Sequence, residues 1–242
     1  MPENNTDEIM LGYLRSVSTA TIANVLLKLG FKNVVLRGVT SLDRATERMA
    51  GPAYTLRFIP SREDLDSMDN YAREDNLHRR AIEECPSGSV LIIDAGGSSA
   101  ASSAGDVMAA RLKYRGVAGI VTDGGYRDTS GVRATGLPAF QTATATPATV
   151  IALHPITLNE PIGCAGVSVY PGDIIVGDAD GVVVIPAHVA QETAKAAFDI
   201  AQYEEFVDMK IKKGRSIFGL FPATKESKAE FDAWVFAGKP QD

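Results

Sequence analysis

The chain has only two cysteines, three histidines and one tryptophan among its 242 residues, and each scarcity removes a class of chemistry. Cys85 and Cys164 stand far apart, with no CxxC and no Cys/His ligand spacing, so neither a disulfide framework nor a structural zinc site is expected. His78, His154 and His188 form no HxxxH or HExxH arrangement and are expected on the surface or at helix ends. There is no GxSxG nucleophile elbow, no GxGxxG and no GxxxxGK[ST], and the lysines Lys28, Lys32 and Lys113 fall at helix ends or on polar faces. Serine-nucleophile, nucleotide and Schiff-base chemistry are therefore disfavoured, and Cys85, followed by Pro86, reads as structural. No run of about 18 apolar residues could span a bilayer. The opening MPENNTDEIM is acidic and polar, without the apolar stretch of a secretory leader, so a cytoplasmic setting and no membrane partner are expected. Basic charge is also short: 24 Lys and Arg against 30 Asp and Glu give a net charge of −6, which argues against nucleic acid as a partner. The local run Lys210-Ile211-Lys212-Lys213-Gly214-Arg215 reads as solvated helix charge.

What the chain does have is a 45% hydrophobic composition, enough for a substantial core in one domain covering 1–242. The segment from Val17 to Gly30 has a Ser/Thr start, helical apolar spacing and a glycine stop, which predict a helix. Strands are predicted at Ala53 to Ile59 and Ser89 to Asp94, with helical composition from Asn70 to Glu84 between them. The loop Ala95 to Ala100 leads to a helix from Val107 to Arg115. Further on, Pro138 to Thr142, Ile162 to Val169, Asp173 to Gly177 and Gly181 to Ile185 read as short strands. A long helix from about Ala187 to Lys213 and a short one from about Lys225 to Phe236 complete a helical extension, 187–242. The periodicity alone specifies an α/β fold.

The most informative stretch is Ile120-Val121-Thr122-Asp123-Gly124-Gly125-Tyr126-Arg127-Asp128, an apolar strand running through paired glycines into an Arg-Asp pair. Such a pair is either a surface ion pair or half of a site. Its place after a buried strand of an α/β protein is where ligands bind. Arg is a bidentate donor to a carboxylate or an enolate, and Asp is an oxygen ligand for a hard divalent cation. Gly105-Asp106-Val107-Met108 opens a helix, so its backbone N–H groups are unpaired and face an anion favourably. Asp123, Asp178 and Asp180 are further acidic candidates, with Gly177 to Gly181 best read as a hairpin turn because the twelve-residue calcium loop is missing.

The combination of Gly105-Asp106 with Arg127-Asp128, 22 positions after the glycine, together with VAGIVTDGGYRD and GDIIVGDADGVVVIP, resembles the family of 4-hydroxy-4-methyl-2-oxoglutarate aldolases and the regulator of RNase E activity A. The resemblance runs from about Val17 to Leu220. It implies an α/β/β/α architecture of the swivelling, phosphohistidine-domain type. It implies a class II, Mg²⁺- or Mn²⁺-dependent pyruvate aldolase that cleaves a 4-hydroxy-2-oxo acid and decarboxylates oxaloacetate. On matching positions, Gly105 to Met108 would hold the pyruvate carboxylate, Arg127 would stabilise the enolate, and Asp128 would ligate the metal. A water near Asp106 would take the C4 hydroxyl proton. The family's assemblies are homotrimers or homohexamers, in which an acid of a neighbour's C-terminal helix, here Glu204 or Glu205, would approach the metal through water. The other branch of the family implies a non-catalytic inhibitor of RNase E. Tyr126, where smaller residues are frequent, and the charged insertion from Asp69 to Arg80 depart from the family pattern, and the tail beyond Leu220 carries no role.

Overall fold

The computed structural model describes residues 3–43 and 48–240, so residues 1–2, 44–47 and 241–242 of the 1–242 domain reading lie outside the described residues. Two helices, α1 (Glu3–Ser16) and α2 (Thr19–Lys28), lead into β1 (Thr40–Ser41) and the long β2 (Met49–Pro60). There follow α3 (Met68–Tyr71), α4 (Leu77–Glu84), β3 (Val90–Asp94), β4 (Ser102–Ala104) and α5 (Asp106–Tyr114). Next come β5 (Gly119–Thr122), β6 (Gly125–Tyr126), α6 (Thr129–Ala134), β7 (Ala139–Gln141) and β8 (Ala143–Thr144). The chain ends with β9 (Leu153–Leu158), β10 (Ile162–Cys164), β11 (Val167–Val169), β12 (Ile174–Asp178), β13 (Gly181–Ile185), α7 (Ala190–Lys212) and α8 (Lys225–Phe236).

The main sheet has the order β1-β7-β5-β3-β2-β12-β13, with β9 also paired to β2. Strands β2, β3, β5 and β7 are parallel neighbours, while β12 and β13 add on antiparallel. The chain just before β1 reaches the far edge: Leu36 N–H donates to Val182 O at 3.0 Å, and Val184 N–H to Val34 O at 2.8 Å. The sheet thus curls until it nearly closes.

Side-chain alternation then sorts the core. Val90, Ile92, Val121, Phe140, Ile175, Val182 and Val184 point inside the curled sheet, where the β10-β11 hairpin adds Cys164, Val167 and Val169. The alternate residues Leu91, Ile93 and Ile120 face outward and pack with Ile82 of α4 and Leu112 of α5. On the other flank, Val176, Val183 and Ile185 meet α1, α2 and α7. Strands buried on both faces explain why β3, β12 and β13 read as continuous apolar runs.

Local chemistry sets the element ends. Ser18 Oγ accepts from Thr21 N–H at 3.2 Å and starts α2. Asp178 lies at the β12-β13 turn read from the sequence, and its carboxylate accepts from Thr19 N–H at 2.8 Å and Thr19 Oγ1 at 2.7 Å, fixing α2 to the sheet. Two segments differ from the sequence reading. The helix expected over Asn70 to Glu84 is broken, because Asn76 Oδ1 accepts from His78 and Arg79 N–H and so begins a new helix. The strand expected over Ile162 to Val169 is a hairpin, turned at Ala165 and Gly166, both with positive φ. Helix α1 was not anticipated; it packs on α7, with Tyr13 stacked on Phe198 at 4.2 Å. The basic run near Lys210 is largely solvated, as read from the sequence, and carries surface pairs: Arg215 Nη2 donates to Glu230 Oε1 at 3.0 Å, and Lys212 bridges Asp208 at 2.6 Å. No single helix among the described residues is long and apolar enough to cross a membrane.

Removing the Asp178 carboxylate leaves Thr19 N–H without its buried partner. Asp178→Ala should therefore cost about 2 kcal/mol of stability and lower the melting temperature by roughly 4–8 °C in calorimetry.

Candidate functional site

Each of the three parallel strands β3, β5 and β7 runs past a turn into a second, smaller parallel sheet, β4-β6-β8. The turn after β5 holds the paired glycines because space demands them. A Cβ on Gly124 would lie 2.7 Å from Ala95 Cβ, and one on Gly125 2.7 Å from Ala143 O. Asp123, one of the acidic candidates, is spent on structure: it accepts N–H bonds from Ala95 at 2.6 Å, Gly97 at 3.1 Å and Ala165 at 3.2 Å.

Tyr126 carries the Arg-Asp pair. Its ring is 1% exposed, its hydroxyl donates to Phe140 O at 3.0 Å, and its N–H donates to Gln141 Oε1 at 2.7 Å. A smaller residue there would not reach Phe140, so the departure from the family pattern is a packing anchor. Arg127 N–H then donates to Ala104 O at 3.1 Å, which brings the end of β6 against the end of β4. Gly105-Asp106 and Arg127-Asp128 thereby become neighbours. A Cβ on Gly105 would sit 3.2 Å from Arg127 Cγ and 3.4 Å from Asp128 Oδ2. Arg127 Nε lies 3.2 Å from Asp128 Oδ2, with both side chains about half exposed, at 47% and 52%.

Asp128 adopts left-handed backbone, φ 52° and ψ 40°, and although it precedes α6 its side chain makes no capping bond. The carboxylate is therefore not committed to the helix. Asp106 begins α5, and its Oδ1 accepts from Val107 N–H at 2.8 Å. Gly131 of α6 admits it closely, since a Cβ there would come 2.7 Å from Asp106 Oδ2.

A cleft of about 300 Å³ opens at this point, lined by Gly105, Asp106, Val107, Met108 and Arg127 from the sequence-predicted set. Its remaining walls were not predicted: Ser102 and Ala104 of β4, Met68 just before the charged insertion and Tyr71 within it, and Ala148, Thr149 and Val150 from the turn before β9. One residue of the insertion, Tyr71, thus forms part of the cleft wall. Tyr71 is buried enough that its hydroxyl pKa is raised, opposed in part by Arg79 and Arg127. Glu204 and Glu205 lie elsewhere within the chain, on α7 at the α1-α2 flank, and Glu205 pairs with Lys239 at 3.0 Å. Among the described residues no three His, Cys, Asp or Glu side chains gather as a metal cluster.

The cysteines are buried, and burial pushes the Cys85 thiol up to about 12, in keeping with a structural role. The histidine reading needs correction. His78 stands at the start of α4 but is fully buried, 5.1 Å from the Phe58 ring and 5.9 Å from that of Tyr71. A helix sequence as charged as LHRRAIEE conceals that one face is pressed against β9 and β2. Desolvation lowers the His78 pKa to about 4, although the Ser103 backbone favours the charged ring.

The family model described as RraA-like (Aldolase/RraA) matches residues 19–184. A protein of Halalkalibacterium halodurans named putative 4-hydroxy-4-methyl-2-oxoglutarate aldolase is 37% identical over 160 residues, 62% of this chain and 69% of that protein. Protein DlpA of Legionella pneumophila is 27% identical over 89% of this chain, which spans only 34% of that longer protein. A solved structure described as Streptomyces coelicolor RraAS2, an unusual member of the RNase ES inhibitor RraA protein family, superposes with a TM-score of 0.74. It is 38% identical, covering 83% of this chain and 96% of that one.

Because the folded pKa of His78 lies below the unfolded value, the unfolded chain binds the extra proton first as pH falls. Stability from this group is complete above about pH 6.5 and is lost as pH drops towards about 4, amounting to roughly 3 kcal/mol. Denaturant titrations across that window should show the loss, and His78→Leu should show correspondingly less of it.

Proposed function

The chain belongs to the RraA-like family, and we propose that it is a cytoplasmic, divalent-metal-dependent lyase. In this reading it cleaves a 4-hydroxy-2-oxo acid to pyruvate and a second carbonyl compound, with decarboxylation of oxaloacetate as a side activity. The observation that carries the reading is that Arg127 and the N-terminus of α5 line one cleft, with uncapped Asp128 paired to Arg127 beside it. Both reactions break a C–C bond and leave the electron pair on pyruvate as an enolate.

Arg127 donates to the oxygen on which that charge develops, an interaction stronger in the transition state than in the ground state. The substrate carboxylate lies at the opening turn of α5. Val107 N–H already serves Asp106, so the carboxylate is held by the neighbouring free N–H groups within Gly105 to Met108 and by the helix dipole. Asp106, at the edge of the cleft, accepts the C4 hydroxyl proton through a water.

Asp128 would hold Mg²⁺ or Mn²⁺. Its half-exposed, uncapped carboxylate fits a cation that keeps most of its waters and needs only one or two protein carboxylates. When bound, the cation would supply positive charge beside the 2-oxo group. Large apolar side chains left exposed at the cleft, Met68 and Val107, favour coverage by a second copy in a homotrimer or homohexamer. In such an assembly Glu204 or Glu205 of a neighbour would approach the metal through water.

The second reading, a non-catalytic inhibitor of RNase E, is favoured by the likeness to the Streptomyces coelicolor protein. Pyruvate release coupled to lactate dehydrogenase, measured with Mg²⁺ and then EDTA on several 4-hydroxy-2-oxo acids and on oxaloacetate, separates the two. Arg127→Ala and Asp128→Ala should each lower EDTA-sensitive turnover by about 10²-fold or more; near-normal turnover in either variant overturns the site. Absence of activity in the wild type, with slowed RNase E cleavage on adding the protein, would establish the inhibitor reading instead.

A further inference from the structure

At the opposite end of the parallel strands from the Arg127 cleft lies a hollow of about 510 Å³ that the lyase reading does not use. Residues at or just before the starts of β2, β3, β5 and β7 line it, among them Met49, Gly88, Ala118 and Pro138. Four cations stand around it: Arg15 in the last turn of α1, Arg48 just before β2, Lys113 in the last turn of α5 and Arg133 in that of α6. Asp43 is the one carboxylate among the described residues that line it. In a chain of net charge −6 this is a local reversal of sign.

Elsewhere on the surface guanidinium groups are matched by carboxylates, Arg62 by Asp64, Arg73 by Asp75, Arg80 by Glu84 and Arg111 by Glu83. The four cations of the hollow have no such partner among the described residues and donate to backbone carbonyls instead. Arg15 Nη2 donates to Ala50 O at 3.3 Å and Arg48 Nη1 to Ser16 O at 2.7 Å, which sets this pair where α1 ends against the start of β2. Lys113 Nζ donates to Gly136 O at 2.9 Å and Arg133 Nε to Leu42 O at 2.9 Å, which sets the second pair where α5 and α6 end. A carbonyl carries only part of a charge, and a guanidinium has five N–H donors, so the hollow keeps both an excess of positive charge and unspent donors. The segment 44–47 brings no net charge, since its sequence holds Arg44 and Glu47.

We propose that this hollow binds a polyphosphate chain, free or carried by a nucleoside. Its volume is in the range that holds a whole small-molecule ligand. An anion that meets both pairs of cations carries charge along its length, as a chain of phosphates does and a single orthophosphate does not. Phosphate oxygens point in tetrahedral directions, so guanidinium forks arriving from separate elements each find acceptors, whereas a carboxylate accepts close to its own plane. Recognition is by side chains from four parts of the chain and needs no glycine-rich cradle, so no sequence motif announces it. The hollow shares no residue with the Arg127 cleft, and the proposal is independent of the lyase reading.

Isothermal titration of the full-length chain in EDTA tests this, with ionic strength matched between ligands. Sodium tripolyphosphate should bind saturably, more weakly as salt is raised, and should raise the melting temperature at the same concentrations. Orthophosphate and citrate should each bind about tenfold or more weakly. ATP as tight as tripolyphosphate places the chain on a nucleoside, and weaker ATP leaves it free; both keep the proposal. Arg15→Gln with Arg48→Gln, or Lys113→Gln with Arg133→Gln, should each weaken tripolyphosphate by about tenfold or more. These side chains also hold carbonyls, so the melting temperature of each unliganded variant separates lost binding from lost folding. Arg15→Lys with Arg48→Lys, which keeps the charge, should retain more of the binding than the glutamine pair. Lys32→Gln with Lys225→Gln removes two charges outside the hollow and should leave binding unchanged, as should Arg127→Ala. No saturable binding, citrate as tight as tripolyphosphate, or an equal loss in the Lys32 and Lys225 pair or in Arg127→Ala would overturn the proposal.

Discussion

The buried carboxylate of Asp123 holds together the part of the molecule on which the proposed site depends. It gathers backbone N–H groups from the loop after β3 and from the β10-β11 hairpin, and it belongs itself to the turn after β5. Three separate chain segments are thereby drawn to one point at the carboxyl ends of the parallel strands. Charge-assisted hydrogen bonds inside a dry environment are directional and strong, so the small sheet β4-β6-β8 is hung from a rigid bracket. Asp94, alongside, has its pKa raised chiefly by burial and is steadied by the backbone of Gly96. This acidic neighbourhood is scaffold, and half-buried Asp106 and exposed Asp128 lie outside it.

The Arg127-Asp128 edge inherits its order from that bracket. Because Tyr126 is locked between Phe140 and Gln141, Arg127 and Asp128 emerge at a defined height, opposite the first turn of α5. The left-handed backbone of Asp128 is tolerable for this residue type, and it turns the chain so that the carboxylate faces the guanidinium. The site is therefore a junction between two βα units. Its far wall comes from sequence-distant insertions, which can vary without disturbing the junction.

Much of the near site was legible from local pattern. An apolar strand, paired glycines and Arg-Asp, together with a glycine that opens a helix, are signals contained within a few residues each, and βα geometry puts such ends on one side of a sheet. The far wall was not legible. Tyr71 and Thr149 carry no motif, and their approach depends on how the insertion folds back over β9. The same holds for His78, whose neighbours in sequence are charged and whose neighbours in space are Phe58 and Tyr71. The break at Asn76 was also hidden, since composition favours one helix and only the side-chain cap starts a new one.

The sequence by itself determined the α/β class, the strand and helix order, the helical C-terminal part and the chemical types gathered in Gly105-Asp106 and Arg127-Asp128. These follow from short-range periodicity, capping and residue chemistry. Tertiary structure alone decided that Asp123 and Asp178 are braces, that Tyr126 is a buried anchor, and that His78 is sealed in the core. Burial is a property of what packs against a residue, and those partners come from distant parts of the chain.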